Sequence, residues 1–121
     1  MKKTPNKKSG SKKKEVYETI ELPCNNEDME SYIKEHRVEI NRKIVNTINY
    51  ALRNHLGAVE VFSFKNSNFV VVLNRKYFKE SLENILEFSL GTEDFDTCVK
   101  AKSIIKKIDK LDYMILYKKI K

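Results

Sequence analysis

The amino-acid sequence predicts an α+β domain. The first half of the chain holds one long apolar stripe at helical spacing. Two β-rich runs with a short polar loop follow, then two helical patterns split by a tight turn. The expected architecture is a long amphipathic helix, an antiparallel β-hairpin extended by a terminal strand or strands, and a C-terminal helical hairpin. The chain has 121 residues, so a basic arm over 1–14 and a single domain over 15–121 are expected.

Residues 1–14, MKKTPNKKSGSKKK, hold seven lysines and no acid. After Met1 they contain no large apolar side chain, so they bury too little surface to offset chain entropy. The arm is expected to be disordered in isolation. From Glu15 onward 17 basic residues balance 17 acidic ones, so the net charge of +7 belongs to the arm. Lys, Asn and Ile make up 42 of the 121 residues, with 20 Lys against 4 Arg. A-and-T-rich codons encode these three residues, so part of the lysine excess has a codon-bias explanation.

Each element has a local reason. In EVYETIEL (15–22), Val16, Glu18, Ile20 and Leu22 share one face, which predicts a strand that Pro23 stops. Asn25 or Asn26 is a good helix N-cap, with Glu27, Asp28 and Glu30 complementing the dipole. One helix is expected from there to about Leu56, with Gly57 beyond its C-terminus. Its stripe is Ile33, Ile40, Ile44, Ile48 and Ala51, flanked by Val45, Leu52 and Leu56.

VEVFSF (59–64) and FVVVLN (69–74) read as a hairpin closed by Lys65–Asn68, with Asn68 suited to a positive φ. Val70, Val71, Val72 and Leu73 do not alternate, which predicts a central strand or one covered on both faces. Asn74 can cap a helix over 75–90 that ends at Gly91. Thr92 is expected to cap the next helix, with Phe95, Cys98, Val99, Ala101, Ile105 and Ile108 facing inward. The tail YMILYKKIK reads equally as a last strand or as a continuation of that helix.

Catalytic machinery is thin, and the expectation is a protein that is not an enzyme and holds no cofactor or metal. His36 and His55 are 19 residues apart on one predicted helix, nearly 30 Å along its axis, so they form no pair. There is no glycine-rich phosphate loop, HExxH or GxSxG pattern. Glu93, Asp94 and Asp96 suit the first turn of a helix. Cys24 and Cys98 belong to no CxxC pair, as in a reducing cytoplasm. No apolar run approaches membrane-spanning length, and no apolar segment follows the charged N-terminus. Cytoplasmic localisation is expected, with no membrane partner.

Two basic segments are the candidates for contact with nucleic acid or a nucleoprotein assembly. In the arm they are Lys7, Lys8, Lys12, Lys13 and Lys14. Phosphate neutralisation by lysines gives sequence-independent, salt-sensitive affinity. The arm has no arginine to read guanine edges and no aromatic side chain for stacking. The second segment runs from Lys100 to Lys121, with eight lysines and two aspartates. Lys102, Lys106 and Lys110, with Lys100 and Lys107, are expected along the outer side of the last helix. Tyr113 and Tyr117 follow them. Arg37 and His55 project into the stripe of the first helix, either toward a partner or toward solvent at the helix ends.

The residues Phe95, Asp96, Cys98, Val99, Lys102, Ser103, Ile105 and Ile108, preceded by Leu90, occupy the positions of F-E-x-A-A-x-x-R-D-x-I-x-x-L. The segment 82–108 thus resembles the UVR motif of nucleotide-excision-repair proteins and Clp-related adaptors, with Cys-Val for Ala-Ala and Lys-Ser for Arg-Asp. That resemblance implies a helical hairpin that binds a partner protein through Phe95 and Lys102. VEVFSFKNSNFVV, followed by Glu93, Phe95, Asp96 and Cys98, is similar to small uncharacterised accessory proteins of tailed phages over 59–100. It implies a phage origin, hence a bacterial host cytoplasm, and no activity. The leading expectation is a non-enzymatic protein contacting nucleic acid non-specifically. The alternative is an adaptor or inhibitor of a host protein, acting through the helical hairpin or the first helix. Homodimerisation through the wide apolar arc of the first helix is a further expectation.

Overall fold

The computed structural model describes residues 19–120; the side chains of Tyr113 and of residues 115–120 lie outside the description. The arm lysines Lys7, Lys8, Lys12, Lys13 and Lys14 and the first residues of the expected strand also lie outside it. The order is β1 (Ile20–Leu22), α1 (Asn26–Glu35), α2 (Arg37–Arg53), β2 (Ala58–Phe64) and β3 (Val70–Asn74). A 3₁₀ turn (Arg75–Tyr77), α3 (Phe78–Gly91) and α4 (Phe95–Ile120) complete it. This is the predicted α+β class, with a helical pair at the C-terminus.

The described strands form one sheet in the order β1-β2-β3. β1 runs parallel to β2, pairing Ile20 with Phe62 and Leu22 with Phe64, so α1 and α2 form the crossover. β2 and β3 make the predicted antiparallel hairpin, with Val59 opposite Leu73 and Phe62 opposite Val71. A bulge between Glu60 and Phe62 inserts Val61. The extra residue lets Val61 and Phe62 both face the helices, where simple alternation would turn one of them outward. The hairpin's positive φ is at Asn66 (56°), not at Asn68. β3 is an edge strand with Val70, Val71 and Val72 exposed, so the expected cover on both of its sides is not provided within the fold.

The first helix is two helices. His36 leaves the helical well at φ −113°, ψ 21°. Its backbone N–H donates to the Tyr32 carbonyl at 3.0 Å, and its ring Nδ1 lies 2.9 Å from the same oxygen. The imidazole also stacks on the Tyr32 ring, with centroids 4.1 Å apart. The i→i−4 bonds of His36 itself are kept, its N–H on the Tyr32 carbonyl and Ile40 N–H on its own carbonyl at 2.8 Å, while its φ and ψ depart from the helical well. At the other end α2 stops at Arg53, before the expected Leu56. Leu56 N–H donates to the Ala51 carbonyl at 2.9 Å and His55 N–H to that of Leu52 at 3.3 Å. This is a Schellman closure with His55, not Gly57, in the left-handed region (φ 57°).

The second helix boundary repeats the device. Thr92 does not cap α4. It ends α3, its hydroxyl donating to the Phe88 carbonyl at 3.2 Å, and Glu93 takes the left-handed φ of 61°. Asp94 N–H closes onto the Ser89 carbonyl at 2.9 Å. α4 then runs 26 residues, so the tail continues the helix and is not a strand.

One core joins the layers. Phe78, Leu82 and Ile85 of α3 and Ala101, Ile104 and Ile108 of α4 enclose Val45, Ile48, Ala51 and Leu52 of α2. Val59 and Val61 close the sheet side. A smaller cluster of Ile20, Leu22 and Ile40 seats β1 under α1 and α2. Of the stripe of the first helical segment, Ile40, Val45, Ile48, Ala51 and Leu52 are covered inside the fold, and Ile33, Ile44 and Leu56 are half-buried. Among the described residues, no helix is long and apolar enough to cross a membrane.

Phe78 is fully buried at the centre of this cluster, so Phe78→Ala is expected to cost about 3–5 kcal/mol in urea denaturation. His55→Gly relieves a left-handed non-glycine residue and is expected to raise stability by about 1 kcal/mol in the same assay.

Candidate functional site

The site begins where α4 is anchored. Asp94 precedes its first turn, and its backbone carbonyl accepts from Cys98 N–H at 3.1 Å. The carboxylate accepts from Thr97 Oγ1 at 2.6 Å, from Arg42 Nε at 3.2 Å and from Arg42 Nη2 at 3.1 Å. The two-pronged Arg42 contact ties α2 to the α3–α4 corner. The Asp94 side chain is 7% exposed and that of Arg42 is 59% exposed. The hydrogen bonds from Arg42 and then Thr97 hold the Asp94 carboxyl below its ordinary value, against the opposing effect of partial burial. Farther along, Lys79 Nζ of α3 lies 2.9 Å from Asp109 Oδ1 of α4.

These pairings leave the outer face of α4 basic. Lys100, Lys102, Lys106, Lys107 and Lys110 are all exposed, and among the described residues none of them makes an ion pair. At 100° per residue they occupy an arc of about 160° and a length of about 15 Å. Cys98, Ala101, Ile104 and Ile108 hold the opposite side against the core. Phe95 and Val99, expected to face inward, are instead 58% and 67% exposed. The reason is angular. The buried stripe centres on Ala101, Ile104 and Ile108, and Phe95 and Val99 fall at the azimuth of Lys102 and Lys106.

Positions 95, 99, 102, 106 and 110 therefore make one outward stripe with two apolar members followed by three lysines. The spacing was visible in the sequence, but the apolar character of Phe95 and Val99 pointed the wrong way. Tyr117 lies on α4 seven residues past Lys110, and its side chain is outside the described residues. Leu90, at the end of α3, is also exposed and extends the apolar surface at this corner.

The other two candidates are not part of this face. His55 is exposed at the end of α2, about 27 Å along the axis from Arg37. Arg37 sits at the α1–α2 break, its guanidinium carbon 4.6 Å from the centre of the Phe88 ring. It borders a cavity of about 310 Å³ between α1, α2, the hairpin and α3, with Ile33, Val71, Leu73 and Ile85 in its walls. Asn41 also lines this cavity, and its amide nitrogen is buried without a hydrogen-bond partner. Nothing in the sequence marked Asn41, because a polar residue beside an apolar stripe usually reaches solvent. No group of three or more His, Cys, Asp or Glu residues among the described ones could hold a metal. Cys24 is exposed, its thiol donating to the Lys65 carbonyl at 2.8 Å, and Cys98 is buried; both are free.

A carboxyl held low in the folded state stabilises the fold above its ordinary pKa, 3.8, and that contribution is lost as pH falls through the lower folded value. Asp94→Asn is expected to be less stable than the parent at neutral pH and to lose stability less steeply below pH 3.8, read by chemical denaturation across the acid range. Among known proteins, no family model, no curated protein and no solved structure matches this chain.

Proposed function

We propose that this chain is a non-enzymatic binding protein that contacts nucleic acid, free or within a nucleoprotein assembly, through the outer face of α4. The observation that carries this reading is the row Lys102, Lys106 and Lys110, exposed and unpaired among the described residues. Arg42 engages Asp94 just before α4, and Lys79 engages Asp109 on it. A phosphate backbone meeting this face encounters five exposed lysines, with Asp96 the acid set among them. Phe95, 58% exposed at the head of the stripe, offers the stacking surface that the arm lacks. Lys7, Lys8, Lys12, Lys13 and Lys14 would add sequence-independent attraction. α4 has no arginine fork to read guanine edges, so the binding expected of this face is non-specific and salt-sensitive.

A second reading is favoured by a separate observation. Leu90, Phe95 and Val99 form an exposed apolar corner on the helical hairpin. An adaptor or inhibitor that docks a host protein would use this corner, with Lys102 at its rim and α4 as its spine. Salt separates the two readings, because apolar contact does not release counterions.

The test is fluorescence anisotropy with labelled duplex and single-stranded DNA and RNA, at about 50 and 200 mM salt. The full chain is compared with a chain starting at Glu15 and with the combined Lys102→Gln, Lys106→Gln, Lys110→Gln variant. Each phosphate contact contributes about 0.9 to the slope of log affinity against log salt, so the triple variant is expected to lower that slope by up to about 2.7. An unchanged slope removes α4 from the interface. No binding by the full chain at low salt ends the nucleic-acid reading.

A further inference from the structure

Among the described residues β3 is the exposed edge of the sheet, and its sequence carries neither of two common protections, charge and proline. Between Asn66 and Asn74 there is no charged residue and no proline. Phe69 is 78% exposed and Val72 52% exposed. An edge strand of this kind presents unpaired N–H and C=O groups and invites another strand. The N-terminal strand β1 is at the far edge of the sheet, on the other side of β2.

The residues themselves identify the incoming strand. Positions 68–74 read Asn-Phe-Val-Val-Val-Leu-Asn, which is symmetric in character about Val71. A two-fold interface requires this self-complementarity, since each residue must suit the residue it meets in both directions. We propose that two copies of this chain associate by antiparallel pairing of their β3 edges about a two-fold axis at Val71. The two sheets then form one continuous sheet. This goes beyond the nucleic-acid reading and does not depend on it.

The register follows from the sequence. With Val71 on the axis, Val70 meets Val72 of the second copy, Phe69 meets Leu73, and Asn68 meets Asn74. Shifting the axis to Val72 sets Val70 against Asn74 and Phe69 against Arg75. Only the Val71 axis pairs apolar with apolar throughout and keeps the asparagines together. Charge agrees with it. Counting past the strand, Arg75 and Lys76 fall opposite Ser67 and Asn66 and so do not face each other.

The two faces of the new seam differ. Val71 and Leu73 pair with Phe62 and Val59, which face the core, so they are on the helix-covered side; with Val72 they border the 310 Å³ cavity. Alternation puts Phe69 of the second copy on that side, next to Leu73, so each copy brings an aromatic ring to the other's cavity wall. Val70 and Val72 lie on the outward side, where Glu60 and Ser63 are their partners in β2. This seam also supplies the neighbouring strand that four consecutive apolar residues call for, without the first helix taking part.

The experiment is sedimentation velocity of the full chain over a concentration series, paired with disulfide trapping. The mass is expected to rise from 14.3 kDa toward twice that value as concentration increases. Phe69→Lys alters a residue outside the core, so circular dichroism should show the parent fold. It should weaken association by about tenfold or more, the value of burying one large apolar side chain. For register, Val71→Cys is made in a Cys24→Ser background. Directly opposed residues of antiparallel strands have Cα atoms about 4.5–5.5 Å apart, within disulfide range. Val71→Cys is therefore expected to cross-link with itself. Val70→Cys and Val72→Cys should cross-link with each other when mixed, and neither should link to itself.

A chain that stays monomeric at every concentration overturns the proposal. So does a dimer in which Val71→Cys fails to cross-link, because association then uses another surface.

Discussion

The inner face of α2 is the surface against which the rest of the molecule is built. Val45, Ile48, Ala51 and Leu52 meet α3 and α4 on one side and the sheet on the other. Ile40, one turn past the break, meets β1. A helix buried this widely cannot be solvated along its apolar arc, so it forms only when its neighbours are in place. Helix propensity alone would not hold it, since isolated helices of this length are marginal in water. The break at His36 belongs to the same constraint. It divides the crossover into α1 and α2, with Met29, Tyr32 and Ile33 of α1 packed around the cluster of Ile20, Leu22 and Ile40.

Packing against α2 also sorts the charges. Arg42 and Lys79 project from α2 and α3 toward the carboxylates at Asp94 and Asp109 and engage them. Asp94 thereby serves both as an anchor for the start of α4 and as a tether to α2. What remains on the outer side of α4 is five exposed lysines with Asp96 among them.

The hairpin poses the opposite problem. Its bulge at Val61 gives the sheet an extra inward side chain and fills the core from the β2 side. The cost falls on β3, whose valines are left at the edge, with one face open and one against a cavity. Four apolar residues in a row, without alternation, are the pattern of a strand with neighbours. The proposed intermolecular pairing would give β3 the neighbour that the described residues do not supply.

The sequence by itself determined the α+β class, the hairpin and its approximate ends, and the helical pair, because hydrophobic periodicity and turn residues are local signals. Lys102, Lys106 and Lys110 were legible for the same reason, since i, i+4 spacing on a helix needs no tertiary information. Four features appeared only in the structure. His36 interrupts a continuous helical pattern, with its ring against the Tyr32 carbonyl and ring. His55 and Glu93 took left-handed caps that glycine was expected to supply, because the chain must turn at those points to bring β2 and α4 onto the core. Phe95 and Val99 faced outward, because the crossing of α3 and α4 selected Ala101, Ile104 and Ile108 as the contact line. Among the described residues β3 is an edge, because β1 returns through α1 and α2 to the other side of β2, a long-range pairing that no local pattern encodes.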